Sequence, residues 1–121
     1  MAEALDGVAL EALLRMVGDD PDFVGEVVDE YLAYARRQLA AMRGAIADGA
    51  SADLARAGHT LKGTSLNVGA SALAELCRQI EHRAAAGDIA SLAGLVSEAE
   101  EAFRAAAEAL ARARERGWLV R

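Results

Sequence analysis

Apolar residues recur three and four positions apart along almost the whole chain, the spacing that lines one face of an α-helix. The pattern breaks only where glycine, proline or a capping side chain interrupts it. A first helix is expected from Asp6, its N-cap, with Leu5 and Leu10 as a hydrophobic staple and Leu10, Leu13, Leu14 and Val17 as its stripe, ended by Gly18. Asp20-Pro21 restarts the chain, aspartate capping and proline taking the first helical position. The long helix that follows runs to Ala47 or Asp48, before Gly49, on Val24, Val27, Val28, Tyr31, Ala35, Leu39, Met42 and Ile46. Ser51 is expected to cap a third helix reaching about Asn67, with Gly69 closing it in the left-handed conformation. Ala70 or Ser71 opens a fourth on Leu73, Leu76, Cys77, Ile80 and Ala84, ended by Gly87. Asp88 is expected to cap a fifth on Leu92, Val96, Ala99, Phe103, Ala106, Leu110 and Ala113, stopped by Gly117. Trp118-Leu119-Val120 reads either as a packed tail or as a disordered end.

Connections of two to four residues force neighbouring helices to run antiparallel. The expected fold is therefore all-α: an antiparallel up-and-down four-helix bundle with a short additional N-terminal helix over one end. No linker, repeat or low-complexity segment divides residues 1–121, so one domain is expected.

Composition narrows the function. Much of the 54% hydrophobic content is alanine and only 4% of residues are aromatic, which suits closely packed helices. A net charge of −6 counts against nucleic acid as a partner. Cys77 is the only cysteine, so no intrachain disulfide forms and an intracellular setting is the simplest expectation. The chain holds no apolar run long enough to span a bilayer, and Met1-Ala2-Glu3-Ala4 lacks a signal-peptide pattern. A cytoplasmic monomer is expected, with no membrane partner.

One stretch departs from the alanine-rich background: Gly58-His59-Thr60-Leu61-Lys62-Gly63-Thr64-Ser65-Leu66-Asn67-Val68-Gly69. Glycine in a helix interior costs roughly 1 kcal/mol relative to alanine, so Gly58 and Gly63 ask for a reason. At about 100° per residue, with Leu54 at zero, Ala57, Gly58, Leu61, Ser65 and Val68 form the buried stripe. His59 falls at about 140°, with Ala55, Lys62, Gly63 and Leu66 around it on the outer face. Side chains lean toward the helix N-terminus, so Lys62 can swing an ammonium group over the imidazole while Gly63 leaves the approach open. An imidazole titrates near about 6.5 in water, so one ring nitrogen keeps a lone pair near neutral pH. A nucleophilic nitrogen, an adjacent cation and a cleared approach suit an incoming phosphoryl group.

His59-Thr60-Leu61-Lys62-Gly63-Thr64-Ser65, followed by Leu66-Asn67-Val68-Gly69-Ala70, closely resembles the signature of histidine-containing phosphotransfer (HPt) domains, the carriers of multistep phosphorelays. The resemblance extends to the flanking helical pattern. It implies that His59 accepts a phosphoryl group from a receiver-domain aspartate and passes it to another receiver, with Nε2 as the reacting nitrogen. It implies receiver domains of response regulators or hybrid sensor kinases as partners. No cofactor is expected on the chain itself; Mg²⁺ is expected on the partner receiver. Gly58 is a departure, standing where the family usually has alanine, and is expected to loosen the helix without touching the chemistry.

The remaining candidates carry less. Thr64 and Ser65 are given a supporting role, their hydroxyls being able to bond back to helix carbonyls. In the family a Gln or Glu of the next helix lies near the histidine, and by spacing Glu81 takes that place; its carboxylate could hold the other imidazole N–H but would repel phosphate. Gln79 does not match that spacing. Leu66 with Ala55 is a candidate docking patch, extended by the first helix and the start of the second. His82 lies opposite its helix's stripe and reads as a surface residue. Cys77 falls on the buried stripe, which argues against a metal site built from His59, His82 and Cys77. No phosphate-cradling glycine loop or kinase motif occurs, so the chain is expected to be a phosphoryl carrier without nucleotide-dependent kinase activity. The competing readings are a helical adaptor that docks a receiver or kinase without carrying phosphate, and the histidine-bearing domain of a chemotaxis-type kinase, for whose catalytic domain 121 residues leave no room.

Overall fold

A computed structural model describes residues 4–118. Its elements are five α-helices: α1 (Gly7–Met16), α2 (Pro21–Asp48), α3 (Ser51–Asn67), α4 (Ser71–Ala85) and α5 (Leu92–Glu115); no strand occurs among the described residues. Two helix starts follow from side-chain caps. Asp6 Oδ1 accepts from Val8 N at 2.9 Å, and Asp20 Oδ1 accepts from Asp22 N at 3.1 Å and Phe23 N at 3.3 Å, with Pro21 in the first turn.

Two other starts differ from the expected ones. Ser51 is the first helical residue of α3 and not its cap; Ala50 holds the cap position without a side-chain bond. The cause is the tight reversal after α2, where Gly49 turns left-handed (φ 66°) and Ala50 N bonds back to Ala45 O at 2.8 Å, so helical geometry resumes at once. Asp88 does not cap α5 either. Its carboxylate accepts the Ser91 hydroxyl at 2.9 Å, and Leu92 N closes a turn on Ile89 O at 3.0 Å. The connection is thereby residues 86–91, longer than the pattern indicated, and α5 begins at Leu92.

The expected stripes form one core. Leu10, Val24, Val28, Met42, Leu54, Leu61, Leu73, Ile80, Leu92 and Leu110 are essentially inaccessible. Val27, Ile46, Leu76, Leu13, Leu14 and Val17 are only half-buried, at the margins of their stripes. α2 packs on α3, α3 on α4, α4 on α5 and α5 back on α2, closing a ring; α1 leans on α2 and α3. The α3–α4 contact is the most extensive. Small residues meet there (Gly58 against the Cys77 backbone, Ala74 beside Lys62 and Leu66), and small residues let helix axes approach.

Trp118 resolves one open reading. Gly117 and Trp118 both take positive φ (67° and 71°), reversing the chain so that the indole is buried and its Nε1 donates to Pro21 O at 2.8 Å. The Arg114 guanidinium covers the ring at 5.3 Å and pairs with Asp29 at 3.0 Å. The tail is therefore packed as far as Trp118; Leu119 and Val120 lie outside the described residues. No helix among the described residues is long and apolar enough to cross a membrane.

Candidate functional site

α3 turns Leu54, Leu61 and Ser65 into the core, which carries His59 to the opposite face, where its side chain is 67% exposed. The ring does not swing freely. Glu81, reaching across from α4, places Oε2 2.8 Å from His59 Nδ1 and Oε1 3.0 Å from Lys62 Nζ. One carboxylate thus holds both the histidine and the lysine, using one oxygen for each. The bond from Lys62 draws the Glu81 carboxyl below its ordinary pKa of 4.5; burial opposes it, and the contact with His59 adds to the lowering. The carboxylate is ionised at neutral pH and can only accept, so the Nδ1 contact is an N–H donated by the imidazole. In the neutral ring the lone pair is therefore on Nε2.

The remaining candidates fall around or away from this centre. A side chain at Gly63 would meet nothing within 4 Å, so the space one turn above the imidazole is open. Leu66 is half-exposed and lines, with Lys62, Ser71, Ala74, Glu75 and Arg78, a shallow depression of about 190 Å³ between α3 and α4. Ala55 is half-buried against the core. Thr64 Oγ1 donates to helix carbonyls, those of Leu61 and Thr60, at 3.2 and 3.3 Å. Ser65 does not bond back to α3. It is fully buried and its hydroxyl meets Tyr31 Oη at 2.8 Å, in the seam between α2 and α3. Burial pushes the Tyr31 phenol up to about 12, with the Ser65 bond pulling the other way.

Cys77 is buried, and desolvation raises its thiol to about 12, so the thiol stays protonated at neutral pH. His82 is exposed in the last turn of α4. Among the described residues no cluster of three or more His, Cys, Asp or Glu could hold a metal ion.

Gly58 lies on the buried side, where the wheel places it, and there it meets the next helix. A Cβ there would stand 3.0 Å from Cys77 O and 3.2 Å from Glu81 N, so the glycine is where the α3 and α4 backbones touch. Which helix faces a buried glycine is a three-dimensional fact, and helical periodicity does not contain it.

An all-helical bundle that presents one oriented imidazole, with a lone pair facing solvent and a cation beside it, defines a phosphoryl carrier. The comparisons agree. The model of the family described as "Hpt domain" matches residues 26–115, so the chain belongs to the Hpt domain family, the histidine phosphotransfer proteins of phosphorelays. It is similar to the crystal structure of histidine-containing phosphotransfer protein B from Pseudomonas aeruginosa PAO1, with a TM-score of 0.87 and 25% identity over 96% of this chain and 98% of that one. Among curated proteins, none matches the sequence significantly.

Proposed function

We propose that His59 accepts a phosphoryl group from the aspartyl phosphate of a receiver domain and passes it to a second receiver. The Nε2 lone pair attacks phosphorus; the P–O bond to the aspartate breaks and its electron pair leaves on the receiver carboxylate, while Mg²⁺ belongs to the receiver. Nδ1 keeps its proton throughout, so the ring gains positive charge as the N–P bond forms. Glu81, at 2.8 Å, counters that charge and fixes the ring's orientation. Lys62 offers its ammonium to the phosphoryl oxygens and offsets the repulsion that Glu81 alone would exert on them. Gly63 leaves the approach open. The observation that carries this reading is the single carboxylate holding His59 Nδ1 and Lys62 Nζ together.

In this reading the domain is an antiparallel up-and-down four-helix bundle, α2 to α5, with α1 as the additional helix. Its support is the short α2–α3 and α3–α4 connections and the closed ring of helix contacts. It acts as a cytoplasmic monomer and docks receivers through Leu66 and Ala55, joined by the exposed Val8 and Met16 of α1 and Phe23 of α2. The test is transfer from a receiver carrying labelled phosphate to the wild type and to His59→Gln. Acid-labile, alkali-stable label on the wild type alone supports the carrier. Binding without label on either protein overturns it in favour of a docking adaptor.

A further inference from the structure

We infer that Gly58 sets the α3–α4 spacing on which the Glu81–His59 contact depends, and so is a positioning residue for phosphotransfer. The inference rests on the role proposed above for Glu81 and adds the feature of the backbone that delivers that carboxylate.

Both atoms that a Gly58 Cβ would meet closest, Cys77 O at 3.0 Å and Glu81 N at 3.2 Å, belong to the α4 backbone, and Glu81 Cα follows at 3.5 Å. Residues 77 and 81 are one helical turn apart, so this carbonyl and this N–H face each other across a single turn of α4. Gly58 lies against the very turn from which Glu81 projects. No side-chain rotation relieves such a contact; α4 has to move away by some tenths of an ångström. Glu81 could follow one partner through such a shift by extending its side chain. It cannot readily follow two, because Oε2 is held at 2.8 Å from His59 Nδ1 and Oε1 at 3.0 Å from Lys62 Nζ. His59 is the residue next to Gly58, so the pivot and the group being aligned share one segment of α3. Gly44 in α2, Gly63 in α3 and Gly94 in α5 also lie inside helices, and a Cβ at any of them would meet nothing within 4 Å.

The test is a double-mutant cycle on the intact protein, comparing Gly58→Ala and Gly58→Val in the native and Glu81→Ala backgrounds, with Gly44→Ala as a control for helix propensity. Phosphotransfer rate and the imidazole ¹⁵N shifts of His59, which report the tautomer, are the readouts, and circular dichroism checks folding. Gly58→Val should slow transfer about tenfold, the scale of a sub-ångström misplacement, and shift neutral His59 away from the Nδ1–H form. Gly58→Ala should act in the same direction but more weakly, and it carries the test if valine unfolds the bundle. In the Glu81→Ala background the Gly58 substitutions should add little, because the contact they disturb is already gone. Folded Gly58 variants with native rate and tautomer, or effects that simply add to Glu81→Ala, would overturn the inference. A Glu81→Ala protein that transfers at the native rate would instead refute the role given to Glu81, and the inference would fall with it.

Discussion

At the residue scale the site depends on how one carboxylate is shared. Glu81→Gln keeps an oxygen that can accept the Nδ1–H but removes the charge; Glu81→Ala removes both. Transfer should therefore fall by roughly threefold in the first and by more than about tenfold in the second, read as initial rates at fixed receiver concentration. Replacing Gly63 by valine should block transfer while leaving the melting temperature nearly unchanged, since its surroundings are open and only the approach to His59 is filled. The pH dependence follows from the depressed Glu81 carboxyl. Its folded pKa lies below its unfolded one, so the stability from the His59–Glu81–Lys62 contacts is complete above the ordinary value of 4.5 and is lost as the pH falls through the depressed value. Denaturant titrations should show the wild type losing its advantage over Glu81→Gln in that acidic window.

At the element scale the sequence was informative in proportion to how local the signal was. The Asp6 and Asp20-Pro21 starts are short-range chemistry and lie where the residues indicate. Ser51 and Asp88 are equally good capping residues by type, yet the chain around them turns on Gly49 and on the Asp88–Ser91 bond, and neither competition is visible in a propensity. The exposed histidine and its lysine could be placed by helical period alone. Glu81 beside the imidazole was implied by the family resemblance; its simultaneous hold on Lys62, and the backbone contact at Gly58, needed the registration of α3 against α4. Gly69 joins the same two helices to the N-terminal segment: with φ 81° it accepts Asp6 N at 2.6 Å, and a Cβ would stand 2.6 Å from Asp6 O. Gly69→Ala should cost about 1–3 kcal/mol in denaturant unfolding, from the strained conformation and the clash together. Trp118 is the corresponding anchor at the other terminus. Trp118→Ala should cost about 3 kcal/mol, with α2's first turn losing its amide-exchange protection before the rest of the helix.

At the scale of the whole molecule, the task that the proposed transfer sets the fold is to hold one imidazole rigid while leaving its outer nitrogen free. Alanine-rich helices serve that task because they pack closely; Ala35, Ala99, Ala106 and Ala113 are all buried. The same economy leaves few large apolar groups outside the core, so Val8, Met16, Phe23 and Leu66 stand out on the surface. If receivers dock through them, Leu66→Asp should weaken receiver binding about tenfold or more without altering the His59 tautomer. In the proposed transfer Glu81 occupies Nδ1 and thereby makes Nε2 the nucleophile. The direct measurement is ¹⁵N and ³¹P NMR of the ¹⁵N-histidine-labelled protein after phosphorylation by a receiver. A phosphorus–nitrogen coupling to Nε2 of His59, with the proton still on Nδ1, is the result expected. Phosphate on Nδ1, or on another residue, would contradict the account.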